Sequence, residues 1–134
     1  MAPTIADLAE VTPWLPVDGR SLLPLLSPGS VPWRKRFLIE HPPVGSPFGV
    51  PPYLAVRQTR LSDQRAAVYA ETLSGDGVLT DAELYDLTTD PYQLESLHAD
   101  PSWRRVRLIL RTHLEALKEC GLGTCQILED RNGW

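Results

Sequence analysis

Between Arg34 and Leu87 the apolar positions come in short runs, without helical spacing. RKRFLIEH (34–41), YLAVRQTR (53–60), AAVYAETL (66–73) and ELYDL (83–87) hold β-branched or aromatic residues and are bounded by turn formers. Runs of that length and composition predict strands. Short connections separate the last three, and SGDG (74–77) supplies residues tolerant of positive φ, so antiparallel pairing of successive strands is the economical topology. The pattern changes after Pro101. Trp103, Val106, Leu110, Leu114 and Leu117 recur three and four apart with arginines between them. That single apolar stripe predicts a helix over about 101–119, with Asp100 as cap, Pro101 in the first position and Gly121 as a left-handed residue past its end.

The first third is punctuated by Pro3, Pro13, Pro16, Pro24, Pro28 and Pro32, which leaves room only for short helices between turns. Thr4 with Asp7 has the form of a capping box for two turns of helix from Ile5, and SLLPLL (21–26) suits another turn with Pro24 early in it. PPVGSPFGVPP, between the first two strands, is a surface loop by its proline and glycine content. The elements predict an α+β fold: a four-stranded antiparallel sheet packed against a long C-terminal helix, with a proline-rich N-terminal segment of short helices.

A chain of 134 residues is the size of one domain and buries roughly two-thirds of the surface its unfolded form exposes. A net charge of −4 provides no basic field, which argues against nucleic acid as a partner. MAPTIADLAE has neither the basic start nor the apolar core of a signal peptide, and no apolar run is long enough to cross a bilayer. As written, the chain is expected to be cytoplasmic and to have no membrane partner.

Candidate chemistry is sparse. His41 ends a strand and opens the proline-rich loop, while Glu40 points to the opposite face of a regular strand. His98 lies in a turn, and His113 at the edge of the helix stripe, without a second ligand at metal spacing. Ser21, Ser46 and Ser62 lack a GxSxG context, and GDG is a hairpin signal, not a phosphate loop. Asp81, Glu83, Asp86 and Asp90 lack the positions of a calcium loop; Asp90 with Pro91 and Tyr92 reads as turn chemistry. Arg104, Arg105, Arg107 and Arg111 read as a solvated helix face, one of them able to pair with Glu115. Cys120 and Cys125 enclose a loop with two glycines, flexible enough to close a disulfide in an oxidising compartment; a pair of reduced thiols is the alternative. The residues alone therefore predict no catalytic group and no metal site.

APTIADLAEVTPWLPVDGRSLLPLL resembles the segment that type I sulfatases carry after their catalytic core. ELYDLTTDPYQLESLHADP resembles the ELYDLxxDPxQxxNLA signature of their C-terminal subdomain, and LEALKECGLGTC is similar to the tail of N-acetylglucosamine-6-sulfatase-like members. The resemblance covers nearly the whole chain, with its motifs in family order. It implies a four-stranded antiparallel sheet on a terminal helix, with residues 1–33 as the connecting segment that leaves the catalytic domain and 34–134 as the C-terminal subdomain.

The family's nucleophile is a formylglycine made from the cysteine or serine of a C/S-x-P/A-x-R motif, and its calcium ligands lie upstream of the APT segment. Cys120 is followed by GLGT and Cys125 by QILE, so neither matches, and no catalytic or calcium-binding residue carries over. RQTRLSDQRAAVYAE also departs from the RTxxYKYI of many relatives. Met1 abuts the motif directly, so the expectation is a fragment of a truncated or split gene, lacking the N-terminal catalytic domain and inactive alone. A sulfatase catalytic domain is then the implied partner, and a sulfated sugar or aryl sulfate is bound only in the complete enzyme. Parent enzymes are often exported.

By position in the family, the loop from His41 to Tyr53 lies toward the substrate, with His41, Tyr53 and Arg57 as the residues able to contact a sulfated sugar. The rival expectations are an interaction module docking through its apolar first third, and a small sulfated-glycan-binding domain. Leu8, Trp14, Leu22, Leu25 and Leu26 are expected to be uncovered in the isolated chain, and the segment before about residue 33 to be loosely attached.

Overall fold

The computed structural model describes residues 1–29, 31–42, 49–59, 61, 65–121 and 123–131. Its centre is a four-stranded sheet made of β1 (Arg36–His41), β2 (Tyr53–Gln58), β3 (Ala67–Leu73) and β4 (Leu79–Asp86), ordered as in the sequence. All neighbours are antiparallel, with His41 opposite Tyr53, Val56 opposite Tyr69 and Tyr69 opposite Leu84. The meander and the terminal helix are as the apolar pattern predicts.

β4 starts earlier than expected, at Leu79. The early start comes from the tight 74–78 hairpin, where Ser74 N donates to Val78 O at 2.8 Å and Gly77 takes φ 83°. Pairing then carries Leu79–Ala82 into the ladder, although these residues lack the apolar run that marks Glu83–Leu87.

Alternation divides the sheet into two faces. Leu38, Leu54, Val56, Ala67, Tyr69, Ala82 and Leu84 point inward and meet Leu110, Leu114 and Leu117 of the main helix. The helix opens with a 3-10 turn, Pro101–Trp103, before α2 proper (Arg104–Lys118). Asp100 caps it through its side chain, accepting from Ser102 N at 2.8 Å, and the early turn brings Trp103 into the core. Upstream, Asp90 Oδ2 accepts from Leu94 N at 2.8 Å and Glu95 N at 3.0 Å, further along the chain than a simple Asx turn reaches.

Two local expectations are corrected. Gly121 does not take the left-handed conformation; Gly123 does, at φ 89°, and it starts a further short helix, α3 (Thr124–Asp130), that the sequence pattern does not announce. The first helix, α1 (Ala2–Leu8), starts ahead of Ile5 with no side-chain cap. Thr4 is drawn away from capping because its hydroxyl accepts from Leu22 N at 3.1 Å, and burial of Thr4 ties α1 to the 3-10 turn Leu23–Leu26.

Asp18–Arg20 tie the proline-rich segment to α3. Gly123 N donates to Asp18 Oδ1 at 2.9 Å, Gln126 Nε2 donates to Gly19 O at 3.1 Å, and Arg20 donates to Gln126 O at 2.6 Å and to Asp130 at 2.8 Å. Around this clamp the apolar surface is open as expected: Trp14 is 90% exposed, Leu26 78% and Leu8 65%, with Leu22 and Leu25 also exposed. Among the described residues no helix is long and apolar enough to cross a membrane.

Candidate functional site

The outward face of the sheet carries Phe37, Ile39 and His41 on β1, Tyr53, Ala55 and Arg57 on β2, Val68, Ala70 and Thr72 on β3, and Asp81, Glu83 and Tyr85 on β4. Strand alternation fixes this assignment, since the residues between them form the core. Small Ala55 and Val68 are buried between larger neighbours. The face is therefore aromatic and aliphatic, with charge at its margins.

His41, Tyr53 and Arg57 all lie on this face. His41 and Tyr53 are register partners, and their rings stack with centroids 5.6 Å apart and planes 24° apart. His41 Nε2 is buried and has no hydrogen-bond partner among the described residues. Arg57 is exposed and stands opposite Phe37 and Val68. It lies four residues from Tyr53 on one strand, roughly 13 Å between Cα atoms at strand rise. The three therefore form a strip instead of converging on one atom. An aromatic pair at one end and a guanidinium at the other can stack on a ring and attract an anion. Glu40 points to the other face, so no acid–base pair forms with His41. Most of the loop joining His41 to Tyr53, Ser46 included, lies outside the described residues, as do Ser62 and Arg60.

At the far edge, partial burial and then Glu83, which accepts its hydrogen bond, raise the Tyr85 phenol above its ordinary range. Just ahead of β1, the Arg34 guanidinium lies 4.7 Å from the centre of the Phe37 ring.

The other charged groups build structure. Arg36 projects into the inner layer, donating to Gln58 Oε1 at 2.9 Å and to the end carbonyls of α3, Leu128 O at 3.2 Å and Arg131 O at 3.1 Å. Burial, followed by the charge of Arg131, lowers its pKa. Arg111 pairs with Glu71 at 3.3 Å, while Glu115 pairs with Lys118. Arg107 donates to the His98 carbonyl, and the His98 ring stacks on Tyr69, more enclosed than a surface turn. His113 is half-buried, and its pKa is pushed down to about 4 by burial and then by Arg36. Arg36 and Glu71 escape a reading by residue type, though each stands at an inward parity in its strand.

Cys120 and Cys125 are joined by a disulfide. Among the described residues there is no group of three or more His, Cys, Asp or Glu side chains able to hold a metal ion. With both thiols bonded to each other and no C/S-x-P/A-x-R context, these residues do not fit a formylglycine.

No family model matches this chain, and no curated protein matches it. Solved structures do. The structure of BT4656 in complex with its substrate D-glucosamine-2-N,6-O-disulfate is similar at TM-score 0.70 and 20% identity, over 88% of this chain and 23% of that one. The phosphonate monoester hydrolase of Agrobacterium radiobacter is similar at TM-score 0.60 and 24% identity, over 87% of this chain and 23% of that one. The chain thus shares its fold with part of each of these two proteins and spans under a quarter of their length.

Proposed function

We propose that this chain is the C-terminal subdomain of a sulfatase-type sulfuric-ester hydrolase, a frame that walls a substrate cleft and leaves the chemistry to a catalytic domain. The observation that carries this reading is the proportion of the likeness: 88% of this chain corresponds to 23% of a much larger protein. The sulfatase-like motifs at Ala2–Leu26, Glu83–Pro101 and Leu114–Cys125 support it. In this role residues 1–33 connect to the catalytic domain and 34–134 form the subdomain. Calcium and formylglycine belong to the catalytic domain. His41, Tyr53 and Arg57 are the contribution of this chain to contacting a sulfated sugar.

Fold alone does not choose the substrate. One similar protein binds a disulfated glucosamine and the other is a phosphonate monoester hydrolase. The sulfated sugar is preferred for this chain because its sequence motifs resemble those of sulfatases and Arg57 suits a sulfate oxygen pair.

A second reading, an interaction module docking on a separately encoded catalytic half, is favoured by the open apolar surface at Leu8, Trp14 and Leu26. Both readings make the isolated chain incomplete. Titration of the chain with glucosamine 6-sulfate, followed through the NMR signals of His41, Tyr53 and Arg57, tests that. A frame gives no saturable shift at millimolar sugar. Saturable binding lost in Arg57→Ala contradicts it and identifies a self-sufficient sulfated-glycan-binding domain.

A further inference from the structure

We propose that the Cys120–Cys125 disulfide is a redox latch on the proline-rich segment: oxidised, it holds α3 where α3 clamps Asp18–Arg20, and its reduction by a dithiol releases them. The proposal is independent of any sulfatase role.

α3 is seven residues long, well below the length at which a helix persists in water by itself. Its place is fixed from both ends. At the start Cys125 is bonded to Cys120, just past α2. At the finish Arg36, anchored on Gln58, donates to Leu128 O and Arg131 O. The grip on the segment comes largely from the disulfide end, through Gly123 N on Asp18 Oδ1 and Gln126 on Gly19 and Arg20. Arg20 adds Glu129 at 3.4 Å and Asp130 at 2.8 Å. Packing at Gly19 is tight as well: a Cβ there would stand 3.2 Å from Pro3 Cγ, so the clamp fixes α1 along with its own loop.

The latch is reachable. Both cysteines are only part-buried, and both line a surface cavity of about 380 Å³ shared with Asp18, Gly19 and Glu129. One thiolate of the dithiol attacks a cysteine sulfur, forming a mixed disulfide and expelling the other cysteine thiolate. The second thiol then closes the reductant's own disulfide. Two electrons and two protons pass to the protein, which ends with two thiols. Without the bond, the turn into α3 is closed by the exposed hydrogen bonds of Thr124 with Gly121, Thr124 Oγ1 donating to Gly121 O at 2.7 Å and Gly121 N to Thr124 Oγ1 at 3.1 Å. Water can replace these bonds, and Gly121 and Gly123 let the backbone open.

Amide exchange on the whole chain, oxidised, reduced with dithiothreitol and reoxidised, tests the proposal. Reduction is expected to speed exchange in 17–22 and 123–131 on the order of tenfold, leave 53–58 and 67–73 unchanged, and reverse on reoxidation. Cys120→Ser with Cys125→Ser should match the reduced state. Arg20→Ala with the disulfide intact should loosen 17–22 while 123–131 stays protected. Unchanged exchange after mass-verified reduction overturns the latch. So does acceleration that spreads equally to β2 and β3, which makes the bond a general staple, or fraying of α3 in Arg20→Ala.

Discussion

Tyr69 Oη donates to Glu71 Oε1 at 2.7 Å, two residues along the same inward face of β3, and Arg111 of α2 closes the group at 3.3 Å from that carboxylate. Tyr69 is 2% exposed, so its hydroxyl needs that acceptor, and burial followed by Glu71 raises its pKa. Tyr69→Phe removes a buried bond to a charged group and is expected to cost about 1.5–3 kcal/mol. Glu71→Ala should cost more, because it strands the hydroxyl. Urea unfolding of both variants checks the order.

The core rests on few residues. Leu110 and Leu114 are fully buried against Val56, Tyr69 and Leu84. Leu114→Ala is expected to destabilise by about 2–5 kcal/mol. Leu108→Ala on the exposed side of α2 should stay within about 0.5 kcal/mol. Comparable losses in both, measured by thermal unfolding, would mean that α2 packs through a different face.

Acid sensitivity should trace to His113. Its folded pKa of about 4 lies below the 6.5 of the free side chain, so the unfolded chain takes up the proton first. Its contribution is complete above pH 6.5 and is lost as pH falls from 6.5 to 4. Allowing for solvent access to a half-buried ring, the loss is about 1–3 kcal/mol. His113→Gln should flatten that part of the stability profile. Asp76 and Asp90, held below their ordinary range by the Ser74 hydroxyl and by the Glu95 and Leu94 amides respectively, act at lower pH.

The open apolar surface should govern behaviour in solution. Trp14→Ser with Leu26→Ser removes exposed apolar side chains that the core does not use. The double variant is expected to bind a hydrophobic dye less and to scatter less light at high concentration, with its unfolding midpoint unchanged. A lowered midpoint would assign these side chains a structural role.

The sheet and α2 are legible in the sequence because their signals are periodic and local: inward residues such as Val56 and Tyr69 alternate, and the stripe from Trp103 to Leu117 repeats at helical spacing. α3 is not legible, since TCQILED is too short to carry a period and is held by Arg36 and the disulfide, contacts distant in sequence or covalent. The Thr4–Asp7 pattern misleads because the Thr4 hydroxyl accepts from the Leu22 amide instead. Of the candidate site, the sequence supplies His41, Tyr53 and Arg57, but their common face follows only from register. The clamp at Asp18–Arg20 joins residues more than a hundred positions apart, and no local pattern encodes it.

A chain that frames chemistry and one that performs it differ in what they do to a sulfate ester. The most direct measurement is turnover of an aryl sulfate and a sulfated N-acetylglucosamine by the purified chain with calcium present, with a mass spectrum covering Cys120 and Cys125. A frame predicts no turnover, and two cysteines without formylglycine. Turnover that survives repurification, and falls on substitution of His41 or Arg57, would contradict it and place an active site on the open face of the sheet.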